Sequence, residues 1–132
     1  MSRSGYSEEC ENLELYRGAV NQAIHGKRGQ AFLREMAAAM DAMPEKKLIE
    51  SELINPFTGG VCAIGSVFKA RGTDVSKIDA EEPDEVAKAA GIARCMAAEI
   101  AFVNDEEGRY YSRNETPEQR WFRVRQWVED QI

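Results

Sequence analysis

Gly26, Pro44, Gly72 and Gly91 cut the chain into short segments, and within each the apolar residues recur at helical spacing. A chain punctuated in this way has to pack several short helices around one core. From Asn12, the positions Leu13, Tyr16, Val20, Ala23 and Ile24 form one stripe, which Gly26 closes. A hinge at Gly26-Lys27-Arg28-Gly29 follows. Phe32, Leu33, Met36, Met40 and Met43 then mark a second helix that Pro44 ends, with alanines at 37–39 favouring helix. A third is expected from Ala63 to Gly72, with Ile64, Val67 and Phe68 inward. Pro83-Asp84-Glu85 opens a fourth that Gly91 breaks, and a fifth runs from Ala93 to about Asn104. Thr116-Pro117-Glu118-Gln119 starts the last one, with a threonine cap, proline at the first position and glutamine completing a capping box. Trp121, Val124 and Val128 share its inner face, while Phe122 and Trp127 lie off that stripe.

Between the second and third helices, residues 47–54 are ambiguous between strand and helix. The turn-forming Asn55-Pro56-Phe57-Thr58-Gly59-Gly60 and the return segment Val61-Cys62-Ala63 predict a small β-hairpin resting on the helices. Residues 105–115, with Tyr110 and Tyr111, are expected as a loop. The fold class is therefore mainly α: a compact single domain of five or six helices with one small β-hairpin, spanning residues 11–132 behind a flexible tail at 1–10. A chain of 132 residues suffices for one core.

With 43% apolar and 30% charged residues, the composition is that of a soluble globular domain. No apolar run approaches the about 20 residues needed to span a bilayer, and the N-terminus has no hydrophobic signal region. No membrane partner is expected. Cys10, Cys62 and Cys95 are odd in number, far apart and without a CxxC pair, which fits a reducing cytoplasm. With His25 as the sole histidine, they show no zinc-site spacing. Asn104-Asp105-Glu106-Glu107-Gly108 fails the EF-hand pattern, since counting back from the glycine puts Val103 in first place. Neither a metal nor a cofactor is expected.

Gly59-Gly60-Val61-Cys62-Ala63-Ile64-Gly65-Ser66-Val67 looks most like chemistry. As a phosphate loop it fails, because Ser66-Val67 stands where lysine and a hydroxyl residue are needed. As a nucleophile, Cys62 has a helix start nearby but no base that the sequence places beside it. A packed corner is the better reading, with Cys62 as a small buried residue. Residues 86–100 have the Val-Ala…Ala-Gly-Ile spacing of a helix-turn-helix, yet only Arg94 suits base reading at the start of the second helix.

The net charge of −6 disfavours nonspecific coating of DNA, but the charge is segregated. Residues 74–107 form an acidic pole. At the start of the second helix, Lys27, Arg28, Gln30 and Arg34 offer cations and exposed amides to an anionic partner. Near the C-terminus, Arg120, Arg123 and Arg125 interleave with Trp121, Phe122 and Trp127, a pairing that suits a protein hot spot or single-stranded nucleic acid. Candidate binding residues are therefore Lys27, Arg28, Gln30, Arg34, Arg123 and Trp127.

Several segments carry a resemblance: Arg17-Gly18-Ala19-Val20, Gly26-Lys27-Arg28-Gly29-Gln30-Ala31-Phe32-Leu33, Val61-Cys62-Ala63-Ile64-Gly65, Asn104-Asp105-Glu106 and Glu115-Thr116-Pro117-Glu118-Gln119-Arg120-Trp121. On these the chain resembles small uncharacterised proteins encoded by phages and prophages of proteobacteria, with a GxVCA(L/I)G motif. A wider set of short phage and bacterial proteins often continues from Asn-Asp with Ser or Gly and a Phe. Here Glu106-Glu107-Gly108 follows instead. The resemblance implies a phage or prophage source and a bacterial host cytoplasm, and it carries no activity with it. The function expected is that of a non-enzymatic phage accessory protein that binds a host or phage macromolecule, a host or phage protein foremost. Inhibition of a host defence or regulatory protein is one concrete form, and a helix-turn-helix-like DNA-binding regulator is the alternative. The oligomeric state is left open between monomer and homodimer.

Overall fold

A computed structural model describes residues 3–5, 13–107 and 114–132. Among these, six α-helices follow the sequence punctuation: α1 (Leu13–His25), α2 (Lys27–Ala42), α3 (Ala63–Arg71), α4 (Pro83–Ala90), α5 (Arg94–Phe102) and α6 (Pro117–Gln131). A single π-helical turn, Val103–Glu107, extends α5. Two helices organise the packing. α2 lies against α1, α3 and α6, and α5 lies against α1, α3 and α4. The stripes on which the helices were expected are the ones buried: Leu33, Met36 and Met40 from α2, Val67 and Phe68 from α3, Met96 and Ile100 from α5, and Val124 and Val128 from α6. The capping box at Thr116 is formed in full, with its hydroxyl accepting from the Gln119 amide and the Gln119 side chain accepting from the Thr116 amide. Of the two aromatics off the inner stripe, Phe122 is exposed and Trp127 is half-buried against the core.

Four expectations are corrected. The hinge shrinks to Gly26, because Lys27, Arg28 and Gly29 already form the first turn of α2. This tight junction needs a glycine at 29, where a β-carbon would lie 1.9 Å from the Ala23 carbonyl oxygen of α1. The hairpin does not form: among the described residues there is no strand, only an isolated antiparallel bridge between Ile54 and Val61. The reason lies in Ser51, whose φ of 68° turns the chain out of the extended region. The backbone then bonds at intervals, Ile49 N to Val61 O at 2.9 Å and Cys62 N to Leu53 O at 3.1 Å, with residues 50–52 bulging between. The expected loop at 105–115 begins instead as the π-turn, and Tyr110 and Tyr111 lie outside the described residues. Within the expected tail, Arg3 and Ser4 are buried, and its residues 1–2 and 6–10 lie outside the described residues.

Candidate functional site

Two places draw functional side chains together: a buried polar centre around Cys62 and an exposed basic face on α2.

The centre forms where α3 begins and α5 ends. Cys62 caps α3, its Sγ accepting from the Gly65 amide at 3.3 Å. Gly65 is required there, since a β-carbon would meet the Leu53 carbonyl oxygen at 1.9 Å. The π-turn keeps two consecutive residues inside, Asn104 and Asp105, at 1% and 6% exposure. Asn104 Oδ1 accepts the Ala63 amide at 3.0 Å, and its Nδ2 donates to the Ile49 carbonyl at 2.9 Å. Asp105 Oδ1 accepts from the Ser51 amide at 3.1 Å and from Asn104 Nδ2 at 2.9 Å. From the N-terminal segment Arg3 closes the cluster, donating to Asp105 through Nε at 2.6 Å and Nη2 at 2.7 Å. Its Nη1 lies 3.5 Å from Cys62 Sγ and 3.4 Å from the Glu52 carbonyl.

Burial pushes the Asp105 carboxyl upward, but hydrogen bonds from Arg3, the Arg3 charge, Asn104 and the Ser51 amide outweigh it and hold its pKa below the ordinary aspartate value. For Arg3, burial is likewise outweighed, by Cys62 and Asp105, so its pKa is raised. Arg123 reinforces the centre from α6, donating to the Val103 carbonyl at 2.7 Å and the Asn104 carbonyl at 3.3 Å while pairing with Glu115. Arg120 Nη1 donates to the Leu48 carbonyl at 2.8 Å. Cys62 itself is 1% exposed, and the side-chain hydrogen bonds that reach its sulfur come from donors, Arg3 and the Gly65 amide. His25 is exposed at the end of α1. The chemistry this arrangement performs is fastening: it joins the N-terminal segment, the 49–53 crossing, α3, the π-turn and α6.

On α2 the charge is used differently. Of the nine arginines among the described residues, seven are paired with carboxylates: Arg3, Arg17, Arg71, Arg94, Arg120, Arg123 and Arg125. Arg28 and Arg34 are not, and they stand exposed on the first two turns of α2 with Lys27, which also has no acidic partner among the described residues. The start of α2 has no side-chain cap and no acidic residue in its first turn. A cavity of about 200 Å³ opens there, lined by Gln22, Gly26, Lys27, Arg28, Ala93 and Met96. Gln30 sits beside this face and fastens it, donating to the Ile24 and Gln131 carbonyls at 2.9 Å each, which places the end of α6 next to the start of α2.

The structure thus brings Lys27, Arg28 and Gln30 to the start of α2, with Arg34 about two turns further along, whereas Arg123 is spent on the π-turn and Trp127 packs half-buried. A larger cleft of about 640 Å³ lies between the end of α2 and the 58–61 turn, over Met43, Pro44, Ile49, Val61 and Ala70. Its lysines are engaged, Lys69 with the Gly59 carbonyl and Lys47 with Glu45 and Glu118. The helix-turn-helix-like pair α4–α5 is built as spaced, but α5 is buried from Met96 to Ala101 and Arg94 is paired with Asp84. Among the described residues no group of three or more His, Cys, Asp or Glu converges to hold a metal ion, and no helix is long and apolar enough to cross a membrane.

Arg3, Asn104, Asp105 and Ser51 were not singled out as site residues by sequence reasoning. A signal existed for two of them: Asn104-Asp105 and Val61-Cys62-Ala63-Ile64-Gly65 both carry the resemblance, and the Asn104–Ala63 hydrogen bond joins the two pieces. In comparisons with known proteins the chain matches no family model, no curated protein and no solved structure.

Proposed function

We propose that the protein is a non-enzymatic phage accessory protein that docks the basic face of α2 onto an acidic surface of a host or phage protein. The observation that carries this reading is the pairing pattern: seven of nine described arginines are neutralised in place, while Arg28 stands with Lys27 at an uncapped helix start and Arg34 follows about two turns along α2. In a chain of net charge −6, such a local positive field sets orientation and association rate toward an acidic partner. The burial of Cys62, 1% exposed, favours binding over chemistry at that residue. Inhibition of a host defence or regulatory protein is the concrete form we favour, because occupying a partner's acidic surface requires no reaction.

The test is capture from bacterial host lysate by three full-length proteins: wild type, K27E/R28E/R34E, and a control reversal of the same sign, K77E/K88E. A partner held by wild type and by the control but lost by the α2 variant, with retention falling as salt rises, supports the reading. Equal capture by all three, or no enriched partner, overturns it. Duplex DNA bound at low salt and lost by the α2 variant would make nucleic acid the partner instead.

A further inference from the structure

Arg3 fills a recess that the rest of the fold builds. Each nitrogen of its guanidinium has an acceptor: Nε and Nη2 the two Asp105 oxygens, at 2.6 and 2.7 Å, and Nη1 the Glu52 carbonyl at 3.4 Å and Cys62 Sγ at 3.5 Å. This is recognition of a planar fork, which a point-charge ammonium does not reproduce. Arg3 is 4% exposed in this setting.

The walls are fixed by bonds that do not involve Arg3. Asp105 is oriented by the Ser51 amide and by Asn104, Asn104 by Ala63 and Ile49, and Cys62 by the Gly65 amide. The segment carrying Arg3 is tied to the core through side chains, by Arg3 itself and by Ser4 Oγ donating to Glu106 Oε1 at 3.0 Å. Arg3 and Asp105 lie 102 positions apart in sequence, so the guanidinium behaves as a ligand tethered to a receptor formed elsewhere. Independently of the α2 face, we propose that the Asp105 recess is a guanidinium-binding site, filled in cis by Arg3 and able to take a guanidinium ligand in trans when Arg3 is removed. The ligand class is an alkylguanidinium, the arginine side chain being its biological form.

A short tether supplies a local ligand concentration of roughly millimolar order, so free ligand at tens of millimolar competes on comparable terms. The experiment uses the full chain as wild type, Arg3→Ala and the double variant Arg3→Ala/Asp105→Asn, melted with and without N-methylguanidinium, with methylammonium as the control cation. Methylguanidinium is expected to raise the melting temperature of Arg3→Ala by about 4 °C more than that of wild type, and to leave the double variant unshifted. Methylammonium is expected to produce no such difference. Equal shifts in all three proteins, or equal effects of the two cations, overturn the proposal. If Arg3→Ala is recovered only unfolded, its refolding yield with each cation is the readout, and a yield indifferent to methylguanidinium overturns the proposal as well.

Discussion

Gly65 and Leu53 approach so closely that a β-carbon on Gly65 would lie 1.9 Å from the Leu53 carbonyl oxygen and 2.8 Å from its carbonyl carbon. The obstacle is backbone, and that backbone is itself held by the Cys62 amide bonding to the same oxygen at 3.1 Å. Neither side has a flexible end to move. Gly65→Ala is therefore expected to cost about 3 kcal/mol, read as a lowered urea midpoint with an unchanged slope. Gly18→Ala, at an exposed α1 position where a β-carbon meets nothing within 4 Å, is expected to be neutral or stabilising. A Gly65→Ala variant as stable as wild type would show that the α3 approach relaxes freely.

Asn104 serves an amide and a carbonyl at once, and only a side chain with one acceptor and one donor does both. Asn104→Ala leaves the Ala63 amide and the Ile49 carbonyl without this partner, at about 2 kcal/mol. Asn104→Asp keeps the acceptor but sets a second carboxylate beside Asp105 and against the Ile49 carbonyl. It is expected to be the worse of the two despite its shape. Chemical denaturation at pH 7 ranks them, and the reverse order would mean that the Ile49 bond contributes little.

Cys62 and Cys95 differ in access, the first buried and the second partly exposed. Iodoacetamide labelling followed by peptide mapping is expected to modify Cys95 ahead of Cys62, and Cys62 at least about 100-fold more slowly in the folded protein than in urea. Fast labelling of Cys62 under native conditions would revive it as a reactive thiol. Cys62→Ala removes the acceptor of the Gly65 amide and is expected to cost about 1 kcal/mol, as the loss of a helix cap does.

These three residues mark how far the sequence carries. Local signals placed the helices well, because a glycine stop, a proline first turn or a capping box acts within one turn of the residue that bears it. The stripe Leu33-Met36-Met40 was readable for the same reason. The hairpin failed at one residue: Ser51 takes a left-handed conformation that its side chain does not advertise, and the cause is a tertiary bond from its amide to Asp105. The polar centre was least readable, since Arg3, Ser51, Cys62 and Asp105 come from four separate stretches of the chain and only the fold puts them together. Arg123 shows the same limit from the other side. Beside Trp121 and Phe122 it looked like a surface contact, and its three nitrogens are taken up by Glu115 and the π-turn carbonyls.

Glu107, at the end of the π-turn, gives a prediction in pH. Burial raises its pKa above the ordinary 4.5, and Glu99 and Glu115 push the same way while Arg123 and Arg17 oppose. A carboxyl raised on folding binds its proton more tightly in the folded chain than in the unfolded one. Its favourable contribution is complete below about pH 4.5 and is lost as pH rises through the folded value. At pH 7 the ionised side chain is thus a burden on the fold. Glu107→Gln carries no charge at any pH, so it is expected to be more stable than wild type at pH 7. The gap should narrow as pH is lowered and close below about pH 4. Paired urea titrations of the two proteins from pH 7 to pH 4 test this. A Glu107→Gln variant less stable than wild type at pH 7 would mean that Arg123 and Arg17 hold the carboxylate more strongly than burial disfavours it.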